Sequence, residues 1–184
     1  MYHISCDIRA QRSAQLIAES VLHLAEKKPL AEISIAEIQR ISGVSRSTFY
    51  RLFDTPLDVV TWQVEKLFKT WSAEITKAPA KKIIPLAFMQ LMMKNAALLE
   101  ILAQNDQLAL LARNHRHYFQ DVLTVFDFPA DLDQIEKEYL IDFLSYALPI
   151  AIFTWLRRGK KETAAEVSHY FWQSIRLMSQ ATKK

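Results

Sequence analysis

Apolar residues recur along this chain at steps of three and four, the period of helices packed against one another rather than of strands. From about Arg9 to Lys27, Ala10, Ala14, Ile17, Ala18, Val21, Leu24 and Ala25 share one face of an opening helix, and Pro29 ends it. Ser34 then precedes Ile35, Ile38 and Ile41, with Glu37 three residues on, which is the spacing of a capping box. Gly43 falls where that second helix must stop, because glycine enters the left-handed conformation without steric cost. Ser45 is placed to cap a short third helix running to Phe53. Val44, Phe49, Leu52 and Phe53 point one way on it, while Arg46, Ser47, Thr48, Tyr50 and Arg51 stay available.

The remaining pattern predicts longer helices. Thr55 and Pro56 suit a cap and first helical residue, with Asp58 favourable in the first turn. That fourth helix carries Val60, Val64, Leu67, Trp71 and Ile75 inward until Ala78-Pro79-Ala80 breaks it. An apolar region with Phe88, Met89, Leu91, Met92 and Met93 extends to about Ala103, in one piece or two. Another helix spans about Asp106 to Phe126, closed by Phe128-Pro129. A helix from about Asp131 to Arg158 is apolar on two sides and ends at Gly159. One stripe holds Leu132, Ile135, Tyr139, Phe143, Tyr146, Ile150 and Phe153; the other holds Leu140, Leu144, Ala147, Ala151 and Trp155. A helix apolar nearly all round must be covered nearly all round, so a second copy of the chain is expected on the second stripe. A last helix, about Thr163 to Gln180, presents Ala164, Val167, Phe171, Ile175 and Met178.

Composition agrees with a soluble, all-α, cytoplasmic protein of about nine helices. Two glycines and six prolines leave little room for the tight turns of an all-β fold. The one cysteine, Cys6, has no internal partner for a disulfide, and the first residues lack the basic-then-apolar pattern of a signal peptide. Leu140 to Leu156 is short of the roughly 20 residues of a membrane span and carries Asp142 and a central Pro149, so no membrane partner is expected. The histidines lack paired ligand spacing with cysteines or acids, and no nucleophile–base pairing or glycine-rich phosphate loop occurs. Neither a metal, a cofactor nor an enzymatic activity is expected. Arg113, Asn114, His115, Arg116 and His117 invite an anionic ligand or a titrating switch, but a solvated helix face accounts for them more simply. The net charge of +3 is compatible with nucleic acid without requiring it.

Spacing alone leaves two readings of residues 34–53 open: an ordinary helical hairpin with a solvated polar face, or a helix-turn-helix whose second helix enters the DNA major groove. Ile35-Ala36-Glu37-Ile38 followed by Gly43-Val44-Ser45-Arg46-Ser47-Thr48-Phe49-Tyr50-Arg51-Leu52-Phe53 resembles the signature of the TetR/AcrR family of bacterial transcriptional regulators. Trp155-Leu156-Arg157-Arg158-Gly159, at the end of an aromatic-rich helix, is similar to one C-terminal subgroup of that family. The resemblance implies an N-terminal three-helix DNA-binding domain (1–54) and a helical domain (55–184) that dimerises and often binds a small molecule. Ser45–Phe53 would be the recognition helix, with Arg46, Ser47 and Thr48 facing base edges and nearby phosphates. Tyr50 and Arg51 match positions that contact the phosphate backbone. Ser34 and Thr55 lie at helix starts where N–H groups can hold phosphates, and Arg9 and Arg12 could add electrostatic anchors.

On this reading two recognition helices enter successive major grooves of a palindromic operator in double-stranded DNA. A homodimer would form through Leu140, Leu144, Ala147, Ala151, Trp155, Phe171 and Ile175. An effector pocket would be lined by Trp62, Phe88, Met89, Met92, Phe119, Tyr139, Phe143 and Tyr146, although such stripes are more often simply core. The expected function is a repressor released by a small-molecule effector. One departure matters: Asp54-Thr55-Pro56 stands where the family often has a Lys-Ser-Lys-like start to the fourth helix, which removes two phosphate-seeking lysines. A coactivator or adaptor acting through a protein partner without binding DNA is therefore the alternative.

Overall fold

A computed structural model of the protein describes residues 1–75, 83–122 and 132–181. Among the described residues there are nine α-helices: α1 (Ile8–Ala25), α2 (Ile35–Ser42), α3 (Arg46–Leu52), α4 (Pro56–Ile75), α5 (Ile83–Lys94), α6 (Ala96–Gln104), α7 (Leu108–Val122), α8 (Gln134–Arg157) and α9 (Ala164–Ala181). One 3-10 turn, Leu30–Glu32, joins α1 to α2. The all-α class predicted from periodicity is the one observed. The expected break at Ala78-Pro79-Ala80 and the expected closure at Phe128-Pro129 lie outside the described residues.

The helices gather into two compact units. The first is Met1–Lys66 with Ala97–Leu110, and the second is Leu67–Ala96 with Leu111–Lys184. The first unit is larger than the segment 1–54 expected from sequence. Val59, Val60, Trp62 and Val64 of α4 are buried, and the Trp62 ring meets Phe53 at 5.9 Å, so the apolar face of α4 extends the three-helix core.

In that first unit α1 packs on α2 and α3. Its buried face includes Ala10, Ala14, Ile17, Ala18, Val21, Leu24 and Ala25, the stripe predicted from spacing. Small residues on this face let the shorter helices approach closely. Ile38, Phe49, Leu52 and Phe53 complete the core. Each such side chain contributes about 1.5–3 kcal/mol on full burial.

In the second unit α5 packs on α8 and α9, and α8 on α9. The centre of this unit is aromatic. His115 of α7 is fully buried, with its ring 5.2 Å from Trp71, 5.2 Å from Phe88 and 5.9 Å from Phe68. The expectation of a solvated face holds for Arg113, Arg116 and His117, which are exposed, and fails for His115. The reason is the aromatic enclosure of its ring. The Ser145 backbone of α8 acts on the imidazole in the direction that favours its protonated form, and Pro149, having no N–H, removes the helical bond to the Ser145 carbonyl.

Helix α8 corrects the expected orientation. It buries Ile141, Ser145, Leu148, Pro149, Ile152 and Trp155. Ile135, Tyr139, Phe143, Tyr146 and Ile150, expected to face inward, are exposed, Tyr139 by 77%. With apolar residues around most of its circumference, this helix carries no periodic signal that distinguishes its two faces. At its end the Trp155 indole N–H donates to the Glu162 carbonyl at 2.9 Å, and Gly159 turns the chain at φ 83°.

Burial without a compensating charge pushes the His115 imidazole down to about 3 from its ordinary value of 6.5, the Ser145 backbone opposing only in part. In the unfolded chain this group takes up a proton near 6.5, whereas the native state resists protonation. Its contribution is therefore intact above pH 6.5 and is lost as the pH falls from 6.5 toward 3. Urea denaturation should show stability dropping by up to about 1.4 kcal/mol per pH unit in that window from this group. His115→Gln should flatten that component, and an unchanged acid slope in the variant would refute the assignment.

Candidate nucleic-acid interface

The site begins with two caps and a glycine. Ser34 caps α2 as a full capping box: its Oγ accepts from the Glu37 amide at 3.3 Å, and its own amide donates to Glu37 Oε2 at 3.0 Å. Lys28 Nζ sits 2.8 Å from both Glu37 carboxylate oxygens, and that contact, with the Ser34 amide and hydroxyl, holds the Glu37 carboxyl down at about 2. Gly43 closes α2 at φ 70°, its amide donating to the Gln39 carbonyl at 2.9 Å. A Cβ there would meet nothing within 4 Å, so conformation rather than space requires glycine.

Ser45 caps α3, accepting from the Thr48 amide at 3.2 Å, and its hydroxyl lies 3.0 Å from those of Ser47 and Thr48. The helix has only seven residues, too few to persist alone in water. What holds it is the inward set Phe49, Leu52 and Phe53, with the Phe49 and Phe53 rings 6.0 Å apart. With that face fixed, Arg46, Ser47, Tyr50 and Arg51 are exposed on the other, and Thr48 is half-buried. Among the described residues no carboxylate pairs with Arg46 or Arg51. Tyr50 is braced edge-on against Phe49 at 5.5 Å while 57% exposed. A rigid helix face carrying two free guanidinium groups, a phenol and a hydroxyl cluster can meet phosphates and base edges.

One feature at its rim carries no signal in the sequence pattern. The N-terminal segment lies along the end of α3, with Tyr2 bridged antiparallel to Phe53 and the His3 amide donating to the Leu52 carbonyl at 2.8 Å. His3 Nε2 is 3.4 Å from Asp54 Oδ1, so this acid is turned toward the segment. Backbone pairing of this kind leaves no mark in side-chain spacing. Thr55 caps α4 in the same reciprocal manner as Ser34, its amide and hydroxyl each donating to Asp58 Oδ2 at 2.8 Å. The hydroxyls of Ser34 and Thr55 are thus engaged by carboxylates of their own helices. Arg9 and Arg12 are exposed on α1.

The other expected sets are separated or regrouped. Phe88, Met89 and Met92 are buried in the second unit, whereas Trp62 belongs to the first, where Lys66 Nζ stands 5.4 Å over its ring. Tyr139, Phe143 and Tyr146 face outward on α8, and the side chain of Phe119 lies outside the described residues. Among the described residues of the second unit, the exposed Tyr139, Phe143 and Tyr146 thus stand apart from the buried Phe88, Met89 and Met92. Ala147, Ala151, Trp155, Phe171 and Ile175 do converge, lining an open groove of about 670 Å³ along α8 and α9. Phe143, Ile150, Tyr170 and Met178 extend its apolar wall. Leu144 lines a small crevice beside Ile84 and Pro85 instead, and Leu140 is half-buried outside the groove.

Comparison with known proteins agrees with this architecture. The TetR-type family described as transcriptional regulator C-terminal region matches residues 82–176, a little over half of the chain. The chain therefore belongs to the TetR/AcrR family of transcriptional regulators. No curated protein matches it in sequence. Among solved structures, Lin0861 from Listeria innocua superposes with a TM-score of 0.79 at 15% identity, covering 96% of each chain. A TetR transcriptional regulator from Streptococcus agalactiae superposes with a TM-score of 0.64 at 15% identity, covering 90% of this chain and 94% of that one. At such identities the likeness is one of fold.

Since Gly43 is required by its backbone angle alone, Gly43→Ala should cost about 1–2 kcal/mol in urea denaturation. Gly43→Asn should cost less, because asparagine tolerates the left-handed region. Equal losses in both variants would show that φ is not the reason for glycine here.

Proposed function

We propose that this protein is a DNA-binding transcriptional regulator, a homodimer that represses by occupying a palindromic operator and is released by a small-molecule effector. The observation carrying this reading is the outer face of α3: Arg46, Ser47, Tyr50 and Arg51 stand exposed on a helix whose other face is locked by Phe49, Leu52 and Phe53. Arg46, Ser47 and Thr48 would meet base edges and adjoining phosphates, and Tyr50 and Arg51 the backbone. Ser34 and Thr55 would offer phosphates only what their capping carboxylates leave.

Dimerisation is supported by the α8–α9 groove and the stripe Ile135, Tyr139, Phe143, Tyr146 and Ile150. Together they leave several large apolar side chains exposed on neighbouring helices, the kind of surface that marks an interface. Helix α8 is also long and apolar enough to cross a membrane. Asp142, the Arg116–Asp142 ion pair and the polar first turns of α8 favour a soluble, cytoplasmic partner of the same kind instead. An effector would act within the second unit, near Phe88, Met89 and Met92. No chemistry is assigned to the protein, and it is read as a regulator rather than an enzyme.

One observation favours a second reading. Asp54 at the end of α3, with Glu37 and Asp58 at the two caps, sets acids where phosphate affinity would call for bases. An adaptor of the same fold, working through another regulator, would tolerate them.

Purified protein should retard DNA from its own promoter region, with log affinity falling linearly as log salt rises. Arg46→Ala and Tyr50→Ala should each abolish the shift while light scattering still reports a dimer. Full affinity in either variant would refute those contacts; wild-type protein that binds no DNA but captures a second regulator would establish the adaptor. Separately, Ala151→Glu should convert the dimer to a monomer at micromolar concentration, and a dimer unaffected by that charge would remove the groove from the interface.

A further inference from the structure

The turn that launches the helix-turn-helix is held from a distant part of the chain. Between α1 and α2 the 3-10 turn closes on itself, Glu32 N–H to the Pro29 carbonyl at 3.0 Å and Ile33 N–H to the Leu30 carbonyl at 3.2 Å. The Leu30 amide, at the start of that turn, has no carbonyl of its own turn to donate to. It donates to Asn105 Oδ1 at 3.1 Å, across 75 residues of sequence and inside the same compact unit. Leu30 itself is buried.

Asn105 is well fixed for this role. Its Nδ2 donates to the Ile101 carbonyl at 2.8 Å and its backbone amide to the same oxygen at 3.2 Å, which orients the amide and leaves Oδ1 as the acceptor. The chain then reverses through Asp106 at φ 53°, with the Gln107 amide returning to the Leu102 carbonyl at 2.8 Å. This is a six-to-one closure of the Schellman type, made by an aspartate where glycine is usual. Helix α6 thus ends in a rigid cap whose side chain points one oxygen at the turn ahead of Ser34 and α2.

We propose that Asn105 is a positioning residue for DNA binding. It fixes the departure of α2, and through Gly43 the seat of α3, so the interface is set partly by a residue outside the helix-turn-helix. The proposal rests on the DNA-binding reading above. The end of α6 belongs to the same compact unit as α3, although more than forty residues of sequence separate them.

The test uses the full chain with Asn105→Ala, which removes the acceptor, and Asn105→Asp, which keeps an oxygen at the same reach. Hydrogen exchange is followed over residues 29–37, and affinity is measured for promoter DNA. Asn105→Ala should accelerate exchange at Leu30 about tenfold, the scale of one lost hydrogen bond, and weaken DNA binding about five- to tenfold. Asn105→Asp, which keeps the acceptor but loses the Nδ2 donor to the Ile101 carbonyl, should fall between wild type and Asn105→Ala in both. Asn105→Gln, which keeps the amide but shifts it by one methylene, should lose the protection and replaces the alanine variant if that fails to fold. Unchanged exchange or unchanged affinity without the acceptor overturns the proposal, as does equal damage from Ala and Asp, which would make packing the cause. Wild-type protein that binds no DNA while Leu30 remains protected would take the proposal down through the reading it rests on, not through the tie.

Discussion

The burial of Phe49, Leu52 and Phe53 is the constraint on which the rest of the DNA-facing unit depends. Seven residues cannot sustain a helix in water, so α3 exists only because its apolar side is taken up by α1, α2 and the start of α4. That same fixation decides what is left outside. Two guanidinium groups, a tyrosine and a hydroxyl cluster are displayed at set angles because the ring pairs Phe49–Phe53 and Phe53–Trp62 leave the helix one seating. Gly43 and the two hydroxyl caps complete the geometry: one permits the sharp reversal, and the others satisfy the amides that short helices leave open.

The second unit is organised by a different balance. Its middle is a cage of Phe68, Trp71 and Phe88 around His115, whose burial disfavours the charged imidazole. Pro149 takes the helical donor from the Ser145 carbonyl beside it. Outside the cage, α8 and α9 keep an apolar wall that the other described residues leave exposed. One unit spends its polarity on an exposed face, while the other spends exposed apolarity on what we read as a second copy.

Legibility in the sequence followed the sharpness of the pattern. The inner face of α1 was readable residue by residue, because it carries one apolar stripe with polar residues opposite; on α4 the stripe Val60, Val64, Leu67, Trp71 and Ile75 was readable, while the buried Val59, Trp62 and Phe68 beside it were not. The caps at Ser34, Ser45 and Thr55 and the stop at Gly43 were readable because capping chemistry is local. Helix α8 was not. With apolar side chains around most of its surface, its periodicity could not separate a face turned inward from one turned out, and the expected set Tyr139, Phe143 and Tyr146 fell on the wrong side. His115 was hidden among exposed Arg113, Arg116 and His117, because the rings that enclose it come from elements distant in sequence. The Tyr2–Phe53 pairing and the Asn105–Leu30 tie leave no periodic trace, since each joins segments far apart in sequence at a single place. The expected boundary at 54 followed the motif, whereas compactness follows the apolar face of α4 and the end of α6.

The claim that the exposed side of α3 meets a duplex is tested most directly by titrating isotope-labelled protein with promoter DNA and following backbone amides by NMR. The account predicts that the amides of residues 45–51 shift together, at salt-dependent midpoints, while those of the second unit's aromatic cage move far less. Shifts confined to other surfaces, or none at all on α3 at saturating DNA, would contradict it.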